Sequence, residues 1–205
     1  MIVIMYDVNR NVRETEMRVS REQVLENKRT ILAAASRLFR QHGFESVTVT
    51  DVMKSAGLTH GGFYGYFKSK DDLIAQALAE VMGRSEAPPG DLGSLAEQYL
   101  SAEHRDNCAA GCPLAALASE AVRQPGGARA EMTAGLKRQI ERLSRVAPGP
   151  DAASKRRAAV GSWAAMVGAL ILARMSNDSE LSDDILNETR AWLAAQAQMG
   201  PGREA

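Results

Sequence analysis

The chain has 205 residues, 45% apolar but only 5% aromatic, and its 25 basic side chains are balanced by 25 acidic ones. That is enough for a packed core, with Ala and Leu in place of the β-branched alternation a sheet protein needs. Two cysteines make no disulfide framework, no apolar run reaches 18 residues without a charge, and the start MIVIMYDVNRNV has neither a basic leader nor a signal-peptide core. A soluble, cytoplasmic, all-α chain with no membrane partner is expected. Charge is unevenly spread: residues 18–84 hold ten Lys and Arg against seven Asp and Glu, and residues 85–205 hold 13 against 15. The front of the chain is thus mildly basic and the remainder mildly acidic.

Residues 1–17 fit nothing that follows and read as a flexible extension. Ser20, with Gln23 three residues on, predicts a capping box for a helix running to about His42, with Val24, Ile31, Leu32, Ala35, Leu38 and Phe39 at helical spacing. Gly43 is its stop. Lys28 and Arg29 fall on the opposite face. The run TVTDVMKSAGLTHGGFYGYF, Thr48–Phe67, then reads as two short helices around a tight turn. Thr48 or Thr50 caps the first, which buries Val49, Val52, Met53 and Ala56. Gly57 ends it in the left-handed conformation, Leu58 tucks under the turn, and Thr59 caps the second, His60 to about Tyr66. This is the helix-turn-helix plan, whose second helix enters the DNA major groove. Gly61, Gly62 and Gly65 each cost a helix interior roughly 1 kcal/mol, which makes sense where the backbone must approach a phosphate or a base edge. Phe63 and Phe67, four apart, face inward and leave the hydroxyls of Tyr64 and Tyr66 for phosphates. The rival reading of the same residues is a Gly-rich aromatic loop closing a small helical domain.

Ser69 and Asp72 next resemble a capping box opening a helix over 69–84, with Leu73, Ile74, Ala77, Leu78 and Val81 as its stripe. Sixteen positions fall on one spaced pattern: Gly43, Phe44, Thr48, Val52, Ala56, Gly57, Leu58, Thr59, Gly61, Phe63, Tyr64, Tyr66, Phe67, Ser69, Lys70 and Leu73. On these residues the stretch from about 22 to 80 resembles the DNA-binding domain of the tetracycline-repressor (TetR) family of bacterial regulators. The resemblance implies a helix-turn-helix domain over 18–68 and a helical ligand-binding and dimerisation domain over 69–205, about nine helices in all. On that plan Thr59, His60, Gly61, Gly62 and Tyr64 stand near bases or adjacent phosphates. Thr48, Thr50, Tyr66 and Lys70 anchor phosphates, Lys70 at a helix N-terminus that itself favours an anion.

In the remaining chain, SEAPPGDLG breaks the helical pattern. Asp91 caps a fifth expected helix reaching His104. Pro113 opens a sixth, which Gln124-Pro125-Gly126-Gly127 ends. A seventh spans about 128–146, an eighth 152–175 and a ninth 181–198. Residues 158–173 of the eighth carry no charge, and a helix apolar nearly all round is buried on more than one side. A homodimer through the last two long helices is therefore expected, as the family resemblance also implies; a core helix in a monomer is the alternative.

Tyr99, His104, Cys108, Cys112, Leu117, Trp163 and Met166 are the expected lining of an effector pocket, and each reads equally as plain core. The spacing His104-x3-Cys108-x3-Cys112 leaves three readings open: buried structural residues, a thiol switch with Cys112 activated at a helix start, or a soft-metal site. Enzyme signatures are missing: there is no G-x-x-x-x-G-K-[ST], no G-x-S-x-G and no H-E-x-x-H. No cofactor and no catalytic residue are expected. The function expected is a DNA-binding transcriptional regulator, a ligand-released repressor holding a palindromic double-stranded operator as a dimer and answering a small-molecule effector. The alternatives are an oxidant or electrophile sensor using Cys108 and Cys112, and a helical enzyme or adaptor without DNA binding.

Overall fold

The computed structural model describes residues 7–83 and 90–198, with side chains from Arg21 to Ala197. The described residues are helical and hold no strand. α1 runs Asp7–Ser46 and α2 Val49–Ser55; a 3-10 segment follows over His60–Gly65, and α3 spans Lys70–Gly83. The body holds α4 (Leu92–Tyr99), α5 (Ala102–Asp106), α6 (Pro113–Ala121), α7 (Gly126–Val146), α8 (Ala152–Met175) and α9 (Ser179–Gln198).

Three expectations change. The first helix does not start at a Ser20 cap: it is already helical from Asp7, and nothing in DVNRNVRETEMRVS breaks it. The break expected at Gly43 is present as a kink inside α1, where its φ of 82° leaves the helical region. The single helix expected from Asp91 to His104 is two. Leu100 leaves the helical region and is fully buried, and Ser101 starts again by accepting the His104 amide at 3.1 Å. The helix-turn-helix second element is 3-10, not α, and Thr59 occupies its cap position without a side-chain cap bond.

One apolar cluster runs from Ile31 to Leu193 and joins head to body. α3 carries that continuity, packing on α1 on one side and α7 on the other. α8 lies between α7 and α9. By length and composition α8 could cross a membrane, with a mean hydropathy of 1.6 over its apolar window, a third of which is buried. A core helix passes the same test, and Arg174 near its end donates to the carbonyls of His104 and Arg105 inside the body. Its outer face carries Val160, Ile171, Leu172 and Met175, all exposed, beside Gly161 and Gly168, which face open space.

Candidate nucleic-acid interface

The site is built on α2 and the 3-10 segment. Thr48 starts α2 with a reciprocal cap: its hydroxyl accepts from the Asp51 amide at 3.1 Å, and the Asp51 carboxylate accepts from the Thr48 amide at 2.9 Å. The Thr48 hydroxyl also donates to Asp51 at 2.6 Å. These bonds, the Thr48 side chain first, hold the Asp51 carboxyl below the ordinary aspartate range. Val52 and Met53 point into the core. Gly57 then turns with φ 72°, a conformation that other residues adopt at a cost, and its amide closes onto Lys54 at 3.1 Å.

The six residues His60–Gly65 are too short and too glycine-rich for a stable α-helix, and they take the tighter 3-10 winding. Two buried aromatic rings fix the segment to the core. Phe63 and Phe67 stack with centroids 5.6 Å apart. The other face is open: Tyr64 is 73% exposed, and His60, Gly61 and Gly65 are exposed too. A Cβ at Gly61 would meet nothing within 4 Å, and one at Gly62 would make only ordinary contact, with Met53 at 3.8 Å. His60 Nδ1 and the Thr50 hydroxyl sit 3.2 Å apart, which ties the exposed end of α2 to the start of the segment.

The predicted residues separate into two groups. Thr50, Thr59, His60, Gly61 and Tyr64 share the exposed surface, with Thr48 also exposed but spending its hydroxyl on the cap. Gly62, Tyr66 and Lys70 are half-buried. The Tyr66 hydroxyl accepts from Asn27 of α1 at 3.0 Å, so it braces the segment against the first helix. Lys70 opens α3. Ahead of it, Ser69 accepts the Asp72 amide at 3.1 Å, and Asp72 accepts from Lys68 at 2.9 Å rather than from Ser69 itself. That bond and one from Gln76 lower the Asp72 pKa. Asn27 and Lys28, whose ammonium lies 5.5 Å from the centre of the Phe67 ring, were not singled out as site residues from the sequence. Asn27 could have been found by its place four residues after Gln23, with which it shares a bond of 2.9 Å.

The expected effector residues gather around one aromatic group. The Tyr99 ring meets His104 edge-on at 4.6 Å and Trp163 at 5.1 Å, and Leu117 and Met166 are buried in the same core. Cys108 and Cys112 are free and half-buried. His104 has both ring nitrogens engaged: Nε2 accepts from the Cys112 amide at 3.0 Å, so Nδ1 carries the hydrogen and donates to the Tyr99 carbonyl at 2.6 Å. The soft-metal reading fails on that geometry, and no group of three ligating side chains among the described residues is arranged to hold a metal ion. Two surface depressions, each about 230 Å³, open elsewhere. One lies between α3 and the start of α7, the other between the end of α1 and the end of α6.

A sequence profile described as bacterial regulatory proteins, tetR family, matches residues 31–77, which span this interface. Over 75 residues the chain is 36% identical to the HTH-type transcriptional regulator AcrR of Shigella flexneri, covering 37% of this chain and 33% of AcrR. Over 66 residues it is 34% identical to the HTH-type transcriptional regulator TtgR of Pseudomonas putida, covering 32% and 31%. The match thus spans about a third of these curated relatives. In fold the likeness extends further. Reduced NemR of E. coli superposes with a TM-score of 0.68 at 19% identity, over 83% of this chain and 96% of that one. A TetR-family regulator from Agrobacterium tumefaciens also gives 0.68, at 21% identity over 84% and 98%. Residues 31–77 thus carry a helix-turn-helix domain of the tetR family of bacterial regulatory proteins, and the all-helical body has the fold of solved TetR-family regulators.

Proposed function

We propose that the chain binds double-stranded DNA as a homodimer, laying His60–Gly65 in the major groove of a palindromic operator, and releases it when a small molecule enters the body. It then acts as an intracellular repressor. The observation that carries the reading is the two-faced recognition segment: Phe63 and Phe67 are buried while Tyr64 is 73% exposed beside exposed His60 and Gly61. A loop that merely closed a small domain has no reason to hold out an aromatic ring and bare backbone on one rigid face. His60, Gly61, Thr59 and Tyr64 approach bases and flanking phosphates. Thr50 and Lys70 take phosphates. Thr48 and Tyr66 serve by positioning, since their hydroxyls are bonded to Asp51 and Asn27. Residues 18–68 read DNA, residues 69–205 bind effector and pair the subunits, and 1–17 stand outside both.

The exposed apolar stripe of α8 supports the dimer, continuing on α9 through Leu181 and Trp192. Trp163 supports an effector that offers a hydrogen-bond acceptor. Its indole N–H is buried with no partner among the described residues, and such an orphan costs about 1–3 kcal/mol. An acceptor supplied by a ligand beside Tyr99, His104, Cys108, Cys112, Leu117 and Met166 removes that cost.

The test is selection of duplexes from a random-sequence library by the full-length chain. Recovered sequences are expected to share two inverted half-sites whose centres lie about one helical turn, or a multiple of it, apart. Met175→Asp is expected to halve the solution mass and abolish tight binding to the full site. Recovery of no common sequence would sink the reading.

A further inference from the structure

The outer surface of α8 and α9 keeps its charges apart from its apolar length. On α8 the exposed residues Arg157, Val160, Ala164, Ile171 and Met175 recur at spacings of three, four and seven, which makes one strip along the helix. Arg156 flanks its start and is exposed as well. Beyond Arg157 the helix carries no charge until Arg174, and that side chain is turned inward to the carbonyls of His104 and Arg105. On α9 the exposed residues Leu181, Asp184, Glu188 and Trp192 also form one strip, so two carboxylates stand between two apolar side chains. Arg156, Arg157, Asp184 and Glu188 have no bonded partner among the described residues, whereas the neighbouring Asp183 is held by Arg105 at 2.6 Å.

The register of the two helices places these charges at opposite ends of the surface. The Ser182 hydroxyl donates to the Ala173 carbonyl at 2.8 Å, and α9 runs back along α8 from there, so Asp184 stands about level with Ile171. Gly161 and Gly168 face open space on the same side, and the point midway between them falls at Ala164 and Ala165. Measured from that point along α8, Arg157 lies about 11 Å toward the start and the level of Asp184 about 10 Å toward the end. A twofold axis through the midpoint exchanges the two ends. It sets Arg157 of each copy against Asp184 of the other, twice over, and lays the apolar length between them on itself. A surface that is basic at one end, acidic at the other and apolar between fits a reversed copy of itself. Laid on itself without reversal, it would meet like charges at both ends.

We propose that Arg157 with Arg156, and Asp184 with Glu188, form two symmetry-related charge contacts that set the register of the dimer and select a second copy of this chain as the partner. The inference rests on the homodimer proposed above and adds the polar groups that choose the partner. Apolar burial is non-directional and holds subunits together without fixing how far one slides along the other. Charge is directional in this sense: a slipped register, or a helical face from another chain without this pattern, leaves arginine or carboxylate unpaired or against its like, which costs affinity.

The experiment is native mass spectrometry of the full-length chain as wild type, as Arg156→Glu/Arg157→Glu, as Asp184→Lys, and as an equal mixture of the two variants. Each variant alone sets like charges together at both contacts and is expected to self-associate about tenfold or more weakly than wild type. In the mixed dimer every one of these contacts is again between opposite charges. The mixture is therefore expected to restore dimer, with the mixed species well above the share that random pairing gives; that recovery also shows both variants to be folded. Variants that self-associate as tightly as wild type, or that pair at random, would overturn the charge contacts while leaving the dimer in place. Variants that dissociate alone and stay apart when mixed would overturn the pairing of Arg157 with Asp184. A wild-type chain that is monomeric at every concentration would overturn the homodimer itself, and this inference with it.

Discussion

The turn at Gly57 and the loop at Gly111 each redirect the chain between two helices, but their partners come from opposite ranges of sequence. The first is assembled from neighbours: Thr48 caps with Asp51, the Gly57 amide reaches Lys54, and Leu58 reaches Met53. The second is assembled from afar: Arg40 lies 69 residues from its carbonyl at Ala109, and Arg174 lies 69 and 70 residues from its two. Gly57 is required by its φ of 72° with open space around it, whereas Gly111 is required by crowding at an ordinary φ. The difference teaches where each half draws its precision. The head carries its geometry locally and can present the same rigid face on many bodies. The body's loop is positioned only by the finished tertiary structure, which makes it responsive to whatever disturbs that structure.

Four changes break or sharpen this contrast, taken from the largest effect down. Phe63→Ala removes the ring that anchors the recognition segment and is expected to cost about 3–5 kcal/mol in denaturant unfolding. The loss should fall on the head, with slower-exchanging amides of α8 the last to follow. Gly111→Ala is expected to cost about 1–3 kcal/mol through overpacking. Gly57→Ala, strained only in its backbone, is expected to cost roughly 1 kcal/mol, with Gly57→Asn milder because Asn tolerates the left-handed region. If Gly111→Ala proved neutral, the loop would be looser than described and the contrast would collapse.

Thr48→Ala removes one capping partner and is expected to cost about 1 kcal/mol. It also carries a pH signature. Asp51 is held below its ordinary value of 3.8, chiefly by the Thr48 side chain. A depressed carboxyl stabilises the folded state above the unfolded value, and that contribution fades as pH falls through the folded value. In the variant the Asp51 carboxyl should titrate nearer 3.8, as followed by carboxyl-carbon NMR. Asp91 and Asp151, lowered by the same kind of bond to Ser94 and Ser154, are the internal controls and should not move.

How much of the chain was legible follows from the same contrast. Thr48, Gly57, Phe63 and Phe67 have their reasons within a few residues, so spacing alone placed them on their elements. The 3-10 winding of His60–Gly65 was not legible, because 3-10 and α segments share the same residues over six positions and packing of Phe63 on Phe67 decides between them. The break at Leu100 was hidden because Leu100 fits an apolar helical stripe; its departure is bought by full burial and by the Ser101 cap. The bonds of Arg40, Glu120 and Arg174 had no signal in sequence, since their partners are backbone groups of distant segments. His104 and Cys112 were noticed together, but the bond between them joins a ring nitrogen to a backbone amide, not to a thiol.

The central claim is that the exposed face of the recognition segment reads DNA while Lys70 holds phosphate. Its most direct test is anisotropy titration of a selected duplex across a salt series, for wild type, His60→Ala and Lys70→Ala. The account predicts that Lys70→Ala weakens every sequence alike and lowers the salt slope by about one. His60→Ala should keep the slope and lose about 1–3 kcal/mol of discrimination at one base position in each half-site. If both variants matched wild type in affinity, slope and base preference, DNA would be bound by some other surface, and the assignment of this face would be contradicted.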